Sequence, residues 1–348
     1  MPHVISATKF QPDVFRNAII GMDSLIYAID LTQGVVVAFD SAFGRVRVIH
    51  ANDGGRFSGP YTLGVRGDTL WVSDVGTKSV ALFAHGSKSA GVIPNTVKPP
   101  TVETYFEVSG IAPSGDLWLD EGGSLSSTGT IMRDGRAVAL ASRGDSTAHE
   151  ITRLAARDLA LILPMPNGHI FVGTQPWTST DLFDLASNSS WMARVKRFDT
   201  TGSVGDSTIV ELFDGSGRLK WHRAFSFPHI AISDSLIGMA QSSLVTSVVV
   251  AAYGSVANAR RAIREVLYVP DSLPAISQVV VSGEGRVWLA HTATTGTQLW
   301  TILDSDGAVS REIGIPADIH VVDVSNRWII GIREDRDSRY QLVRLSVR

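Results

Sequence analysis

The chain's candidate chemistry lies in polar residues that stand at the starts of short apolar runs. In order these are Asn17, Tyr61, Glu107, Asp158, His229, Gln278 and Asp318, with His320 just inside the last run. They are spread along the whole chain, so they form no local motif. There is no HExxH, no P-loop, no dinucleotide-binding glycine fingerprint behind a strand and no GxSxG nucleophile elbow. If the fold gathers them, their carboxylate and amide oxygens would suit Ca²⁺ or Mg²⁺. The plainer reading is that they line a water-filled channel, and that His229 and His320 are structural histidines. A second set has the composition of a contact surface. Trp177, Phe183 and Trp191 interrupt a stretch otherwise rich in Ser, Thr, Asn and Asp, as binding hot spots do. Arg333, Asp335 and Arg336 belong to a run of mixed charge suited to specific polar contacts.

Whether these residues meet depends on the elements that carry them. A small polar residue followed by an apolar, mostly aromatic-centred strand recurs along the chain. Its centres fall at 26, 71, 118, 171, 237, 288 and 328, a mean spacing of about 50 residues. Further short strands precede and follow each centre, broken by Gly and Asp turns. Strands alone at this period predict an all-β propeller of four-stranded blades, and seven centres predict seven blades. The last unit lacks a fourth strand, while Val4 to Phe10 precedes the first unit with no other role. The ring is therefore expected to close by pairing the two ends, which also hides an edge. Trp71, Trp118, Trp288 and Trp328 read as packing between blades. Val256 to Leu267 has helical spacing, and its Arg260, Arg261 and Arg264 read as a solvated face.

Composition bounds the rest. The chain has 348 residues, and 44% hydrophobic and 19% charged residues allow one large core. A net charge of −3 gives no general attraction to nucleic acid. The absence of cysteine excludes disulfides and thiolate metal sites. No signal peptide or transmembrane run is visible, so the expectation is a soluble protein, cytoplasmic or already processed, in one domain over residues 1–348.

Residues 55 to 83 resemble an NHL-type repeat. Gly55, Phe57 and Pro60 match its opening, Gly67, Trp71, Val72 and Asp74 its middle, and Val80 and Phe83 its end. Thr77 stands where that pattern has Asn. Residues 274 to 345 are similar to the last two blades of the bacterial, six-bladed TolB-like propeller group. The resemblance implies six blades rather than seven. It fixes no activity, because relatives include protein- and RNA-binding modules, lyases and lactonase-like hydrolases. The lactonase-like relatives hold a metal with a Glu/Asn/Asn/Asp set that does not map onto this chain.

Two functional readings follow. The first is a non-catalytic scaffold that recognises a protein or small ligand on one loop face, with no cofactor and no nucleic acid. The alternative is a divalent-metal-dependent hydrolase or lyase, using Ca²⁺ or Mg²⁺ at the mouth of the central channel. The contact residues Trp177, Phe183, Trp191, Arg333, Asp335 and Arg336 are expected on the face where first strands begin. The channel residues Glu107, Asp158, His229, Gln278, Asp318 and His320 are expected at the same opening.

Overall fold

The computed structural model describes residues 4–7, 15–21, 23–51, 54–85, 88–98, 104–123, 135–157, 160–177, 179–198, 204–228, 230–270, 272–293, 296–334 and 340–347. Six four-stranded antiparallel sheets form the blades of a β-propeller. Blade 1 holds Phe15–Ile20, Ile26–Asp30, Val35–Phe39 and Arg45–Ile49, written from the inner strand outward. Blade 2 holds Pro60–Arg66, Thr69–Asp74, Ser79–Ala84 and Lys88–Pro94. Blade 3 holds Thr104–Ile111, Leu117–Gly123, Arg136–Ala141 and His149–Leu154. Blade 4 holds Leu182–Leu185, Trp191–Phe198, Val204–Asp214 and Leu219–Phe225. Blade 5 holds Ile276–Val281, Val287–His291, Thr297–Leu303 and Val309–Pro316. Blade 6 holds Ile319–Val324, Trp328–Glu334 and Tyr340–Ser346, and its outermost strand is Val4–Ala7 from the other end of the chain. Val4 pairs with Leu345 and Ala7 with Val343, so the ring closes as the unpaired ends required.

The blade count corrects the expectation of seven. The centres at 26, 71, 118, 288 and 328 are second strands of blades. Residue 171 instead lies in a two-stranded hairpin, Ala160–Pro164 with Ile170–Thr174, inserted between blades 3 and 4. Residue 237 lies in a helix inserted between blades 4 and 5. That insertion runs α1 (Asp234–Leu244), α2 (Ser247–Tyr253) and α3 (Val256–Val266). Each helix starts on a hydroxyl cap: Ser233, Thr246 and Ser255 accept from the amides of Leu236, Val249 and Asn258. These caps decide helix over strand even for the β-branched Val248–Val250. The hairpin and helices share a small core of Leu161, Leu163, Val249, Ala259 and Ile263. The second strand of blade 4 is Trp191–Phe198, and its inner strand is Leu182–Leu185. Arg260, Arg261 and Arg264 are exposed on α3, the solvated face expected of them.

The NHL-like stretch shows why its residues are needed. The Asp74 carboxylate accepts from the amides of Ser58, Gly59 and Gly76 at 2.9, 2.7 and 3.0 Å, tying the entry of blade 2 to its second turn. Phe57 meets Phe83 edge-on, with centroids 6.2 Å apart, and seals the junction with blade 1. A Cβ on Gly64 would collide with the Trp71 ring and with the carbonyl of Ser187, so only glycine lets those groups approach.

Trp71, Trp118 and Trp288 are buried and pack against the next blade. Trp300, on the third strand of blade 5, joins them. Trp328 differs from the expectation: it is only half-buried, and the Arg344 guanidinium lies 4.6 Å from its ring centroid. The indole N–H groups of the four buried tryptophans find no acceptor among the described residues. These positions therefore use the bulk of the ring and not its donor. Trp118→Ala is expected to cost about 3–5 kcal/mol, Trp118→Phe clearly less, and Trp328→Ala less again. Urea denaturation of the three variants checks the order. Removal of residues 1–7 should lower the melting temperature by exposing the edge of Tyr340–Ser346; an unchanged temperature would count against the closure.

Candidate active site at the channel mouth

In up-and-down blades the inner strands all begin on one face of the disc, called upper here, and second strands return to it. The upper half of the channel is polar. Tyr61 comes from the inner strand of blade 2 and Glu107 from that of blade 3. Asp120 sits directly opposite Glu107 on the second strand, and Arg136 starts the third. Val138 is the residue paired with Asp120, so Arg136, two residues earlier, projects to the same side. Its Nε lies 2.9 Å from Asp120 Oδ1, and its guanidinium carbon lies 5.3 Å from the ring centroid of Phe183, on the inner strand of blade 4. Tyr61 hydrogen-bonds Glu107.

This arrangement perturbs the groups in it. Burial pushes the Asp120 carboxyl up to about 7; Arg136 pulls it back, and repulsion from Glu107 and Glu121 adds to the rise. Burial, with the charges of Asp120 and Glu107, holds the Tyr61 phenol far above its ordinary value. Glu121, the next residue, points away from Asp120 along the alternating strand. It accepts from the Ala137 amide at 2.9 Å and pairs with Arg153 at 3.4 Å. Tyr61, Asp120, Arg136 and Phe183 line a cavity of about 250 Å³ in the channel.

The lower end of that cavity is closed by the turn of blade 4 that follows Leu182–Leu185. The Ser187 carbonyl accepts the Val65 amide of blade 2 at 2.8 Å. Asn188 donates to the Gly283 carbonyl of blade 5 at 3.1 Å. The Ser187 side chain hydrogen-bonds Asp323 of blade 6. Ser189 is buried in a left-handed conformation, φ 53°, against Gly110 of blade 3. One turn thus touches four other blades. Two carboxylates bridge neighbouring blades beside it. Asp184 accepts the Val281 amide at 2.7 Å, and Asp323 accepts the Ile20 amide at 2.8 Å. Burial pushes both carboxyls up to about 7.

The structure brings some of the expected channel residues together and not others. Asn17 donates to Thr62 of blade 2 at 3.0 Å, and Gln278 donates to the Val321 carbonyl of blade 6. Both clasp inner strands to each other. Glu107 joins the cluster at the mouth. Asp318 is exposed and pairs with Arg333 at 3.0 Å, and His320 is exposed on the inner strand of blade 6. Asp158, His229, Asp335 and Arg336 lie outside the described residues.

The aromatic set does not form one loop. Trp177 lies in a turn after the inserted hairpin, and Phe183 faces the channel. Trp191 begins a second strand at the lower face, where it lies against Gly285 of blade 5. The described residues of 174–194 include the short strand Ser179–Thr180, the inner strand Leu182–Leu185 and the start of the second strand Trp191–Phe198, not a single long connection, so the three aromatics stand on different elements. Asp120 and Arg136 were missed. The signal for Asp120 was a charged residue two places after the central tryptophan, where Trp71, Trp288 and Trp328 are followed by Ser73, Ala290 and Ile330.

The described residues of the mouth do not fit the divalent cation that the lactonase-like resemblance implies. Arg136 already supplies the positive charge beside Asp120, Glu107 is bonded to Tyr61, and among the described residues no three His, Asp or Glu side chains converge. Among the same residues no single helix is long and apolar enough to cross a membrane.

No family model and no curated relative matches the chain. Solved structures of the same architecture do. A member of the DUF4221 family from Bacteroides vulgatus is similar with a TM-score of 0.51 at 9% identity, over 99% of this chain and 97% of that one. A gluconolactonase from Xanthomonas campestris is similar at 0.45 and 13% identity, over 96% and 87%. A virginiamycin B lyase from Staphylococcus aureus is similar at 0.43 and 10% identity, over 98% and 99%. At such identities the likeness is one of fold, and the class it defines is the β-propeller. The expectation of a scaffold without catalysis is corrected by these findings. It rested on the lack of a local catalytic motif, and proteins of this architecture include enzymes by name. In a propeller the groups at one mouth come from different strands and blades, so a missing motif does not exclude catalysis.

The two lower carboxylates set a pH dependence. Each titrates near 7 in the folded chain and near 4 when unfolded. Between those values the folded form binds more protons, so their contribution to stability falls as pH rises and is lost above about 7. Asp323→Asn keeps an acceptor for the Ile20 amide and removes the titration. Its stability relative to the parent should therefore improve from pH 5 to pH 8 in urea denaturation. A constant difference across that range would refute the burial of this charge.

Proposed function

We propose that this propeller is a hydrolase or lyase acting on a small molecule at the upper channel mouth, with Asp120 as its general acid–base. The observation that carries the reading is a carboxyl pushed up to about 7 on the wall of the channel cavity, 2.9 Å from a guanidinium. A group that titrates near neutrality both takes and returns a proton at physiological pH. Arg136, partly exposed, is placed to meet an oxygen on which negative charge develops, as in the cleavage of an ester or lactone. Glu107, on the opposite strand, adds to the rise of Asp120 by repulsion, and Tyr61 of the neighbouring blade hydrogen-bonds Glu107. The reading assigns no step to a metal ion. Within the propellers, the Gly55 to Phe83 repeat supports a place near the NHL-type group, and residues 274 to 345 support one near the TolB-like group.

A panel of p-nitrophenyl esters and lactones tests this. Activity dependent on Asp120 should rise with pH through about 7 if the carboxylate is the base. Asp120→Asn should lower kcat by about 10²–10⁴-fold with the melting temperature retained. Turnover that survives Asp120→Asn unchanged would remove Asp120 from the chemistry.

A further inference from the structure

A second cavity, of about 590 Å³, lies on the upper face in the cleft between the outer half of blade 2 and the inner strand of blade 3. It falls within the usual size of a small-molecule site, and it is more than twice the size of the channel cavity. Val75, Val97, Tyr105 and Phe106 give it a largely apolar wall. Val75 and Tyr105 remain 38% and 44% exposed, which leaves apolar surface uncovered.

The polar groups of the cleft are mostly engaged already. Asn95 donates to the Phe106 carbonyl at 2.8 Å and accepts from the Val97 amide at 3.2 Å. Asp74 is held by three backbone amides. Thr77 and Ser79 share a hydrogen bond at 2.8 Å. Lys78 is the cation on this lining, and it makes no ion pair among the described residues. Its backbone is left-handed, φ 51°, a conformation a lysine adopts only at a cost, and it is set in the turn that rims the cleft. Glu107 lines the cleft, and Tyr61, its hydrogen-bond partner, lines the channel cavity. One bonded pair therefore stands between the two spaces.

We infer that this cleft binds the body of the substrate, a small molecule with a flat apolar portion and an anionic group that Lys78 meets, while its reacting end reaches over Tyr61 and Glu107 into the channel mouth. The inference rests on the catalytic reading above for the role of the reacting end, but the cleft's own ligand chemistry is testable without turnover. Burial of the apolar portion against Val75, Val97, Tyr105 and Phe106 supplies affinity. The charge of Lys78 supplies selection between anionic and neutral molecules of equal bulk.

The test uses two fluorescent probes on the full chain: 8-anilinonaphthalene-1-sulfonate, which is anionic, and N-phenyl-1-naphthylamine, its neutral counterpart. Val75→Glu places a carboxylate at an exposed position in the cleft and should weaken both probes about tenfold or more, roughly the effect of 1.4 kcal/mol. Lys78→Glu should weaken the sulfonate by a similar factor and leave the neutral probe unchanged. Asp120→Asn should leave both probe affinities unaltered. Loss of both probes in Val75→Glu and of the sulfonate alone in Lys78→Glu, with no ester or lactone turned over by the parent, would uphold the cleft and sink the catalytic reading. Turnover dependent on Asp120, with KM and both probe affinities unmoved by Val75→Glu and Lys78→Glu, would uphold the catalysis and overturn the cleft. Equal loss of both probes in Lys78→Glu would overturn the anionic part of the assignment.

Discussion

The bond on which the rest depends is the one from the Val65 amide to the Ser187 carbonyl, made across the channel at 2.8 Å. Blades in a ring touch their neighbours through apolar faces, which are non-directional and tolerate sliding. A bond between blades 2 and 4 fixes what those faces leave free. The turn that supplies it also holds blades 3, 5 and 6, so relative heights of the inner strands are set at one point. Its cost is visible in the same place. Ser189 adopts a left-handed backbone, Gly64 and Gly110 must lack side chains, and the carboxyls of Asp184 and Asp323 are desolvated. With its lower end filled, the cavity is reached from the upper face, where Asp120 and Arg136 stand.

Much of the fold was legible because blades repeat and their turns have a local chemistry. Asp74, Phe57 and Phe83 could be read as a unit, since each acts within about 30 residues of chain. The closure was legible from an absence, the missing fourth strand after Tyr340–Ser346. The blade number was not. Gly168 to Val172 and Asp234 to Ile237 carry the same turn-and-strand pattern as a blade, yet one is an inserted hairpin and the other a helix. Spacing alone cannot separate a blade from an insertion of similar length. The hydroxyls at Ser233, Thr246 and Ser255 could have done so, because each sits three residues ahead of an amide that a helix start leaves unpaired.

The site was legible in half. Tyr61 and Glu107 follow from the rule that inner-strand starts ring the channel. Asp120 and Arg136 do not, because they lie on second and third strands and reach the mouth by side-chain alternation and a diagonal contact. The exposed-looking aromatics misled for a related reason. A composition of Trp and Phe among Ser and Asn suits a binding loop, but it also suits an inner strand whose turn must pack against four other blades.

The outermost strand of the last blade, Val4–Ala7, has consequences for how the chain is made. Its partner, Tyr340–Ser346, is the last strand in the sequence. During synthesis Val4–Ala7 leaves the ribosome ahead of blades 1 to 5 and waits, unpaired, until Tyr340–Ser346 has followed them. Blades 1 to 5 can form in turn from local pairings, each hairpin closing a short loop. The last sheet cannot, and its contact is among the longest-range in the molecule, the kind that slows folding. Until then the growing chain is an open arc with a free edge at its newest blade. A waiting strand of only four residues limits the edge available for pairing with a neighbouring chain on the same message.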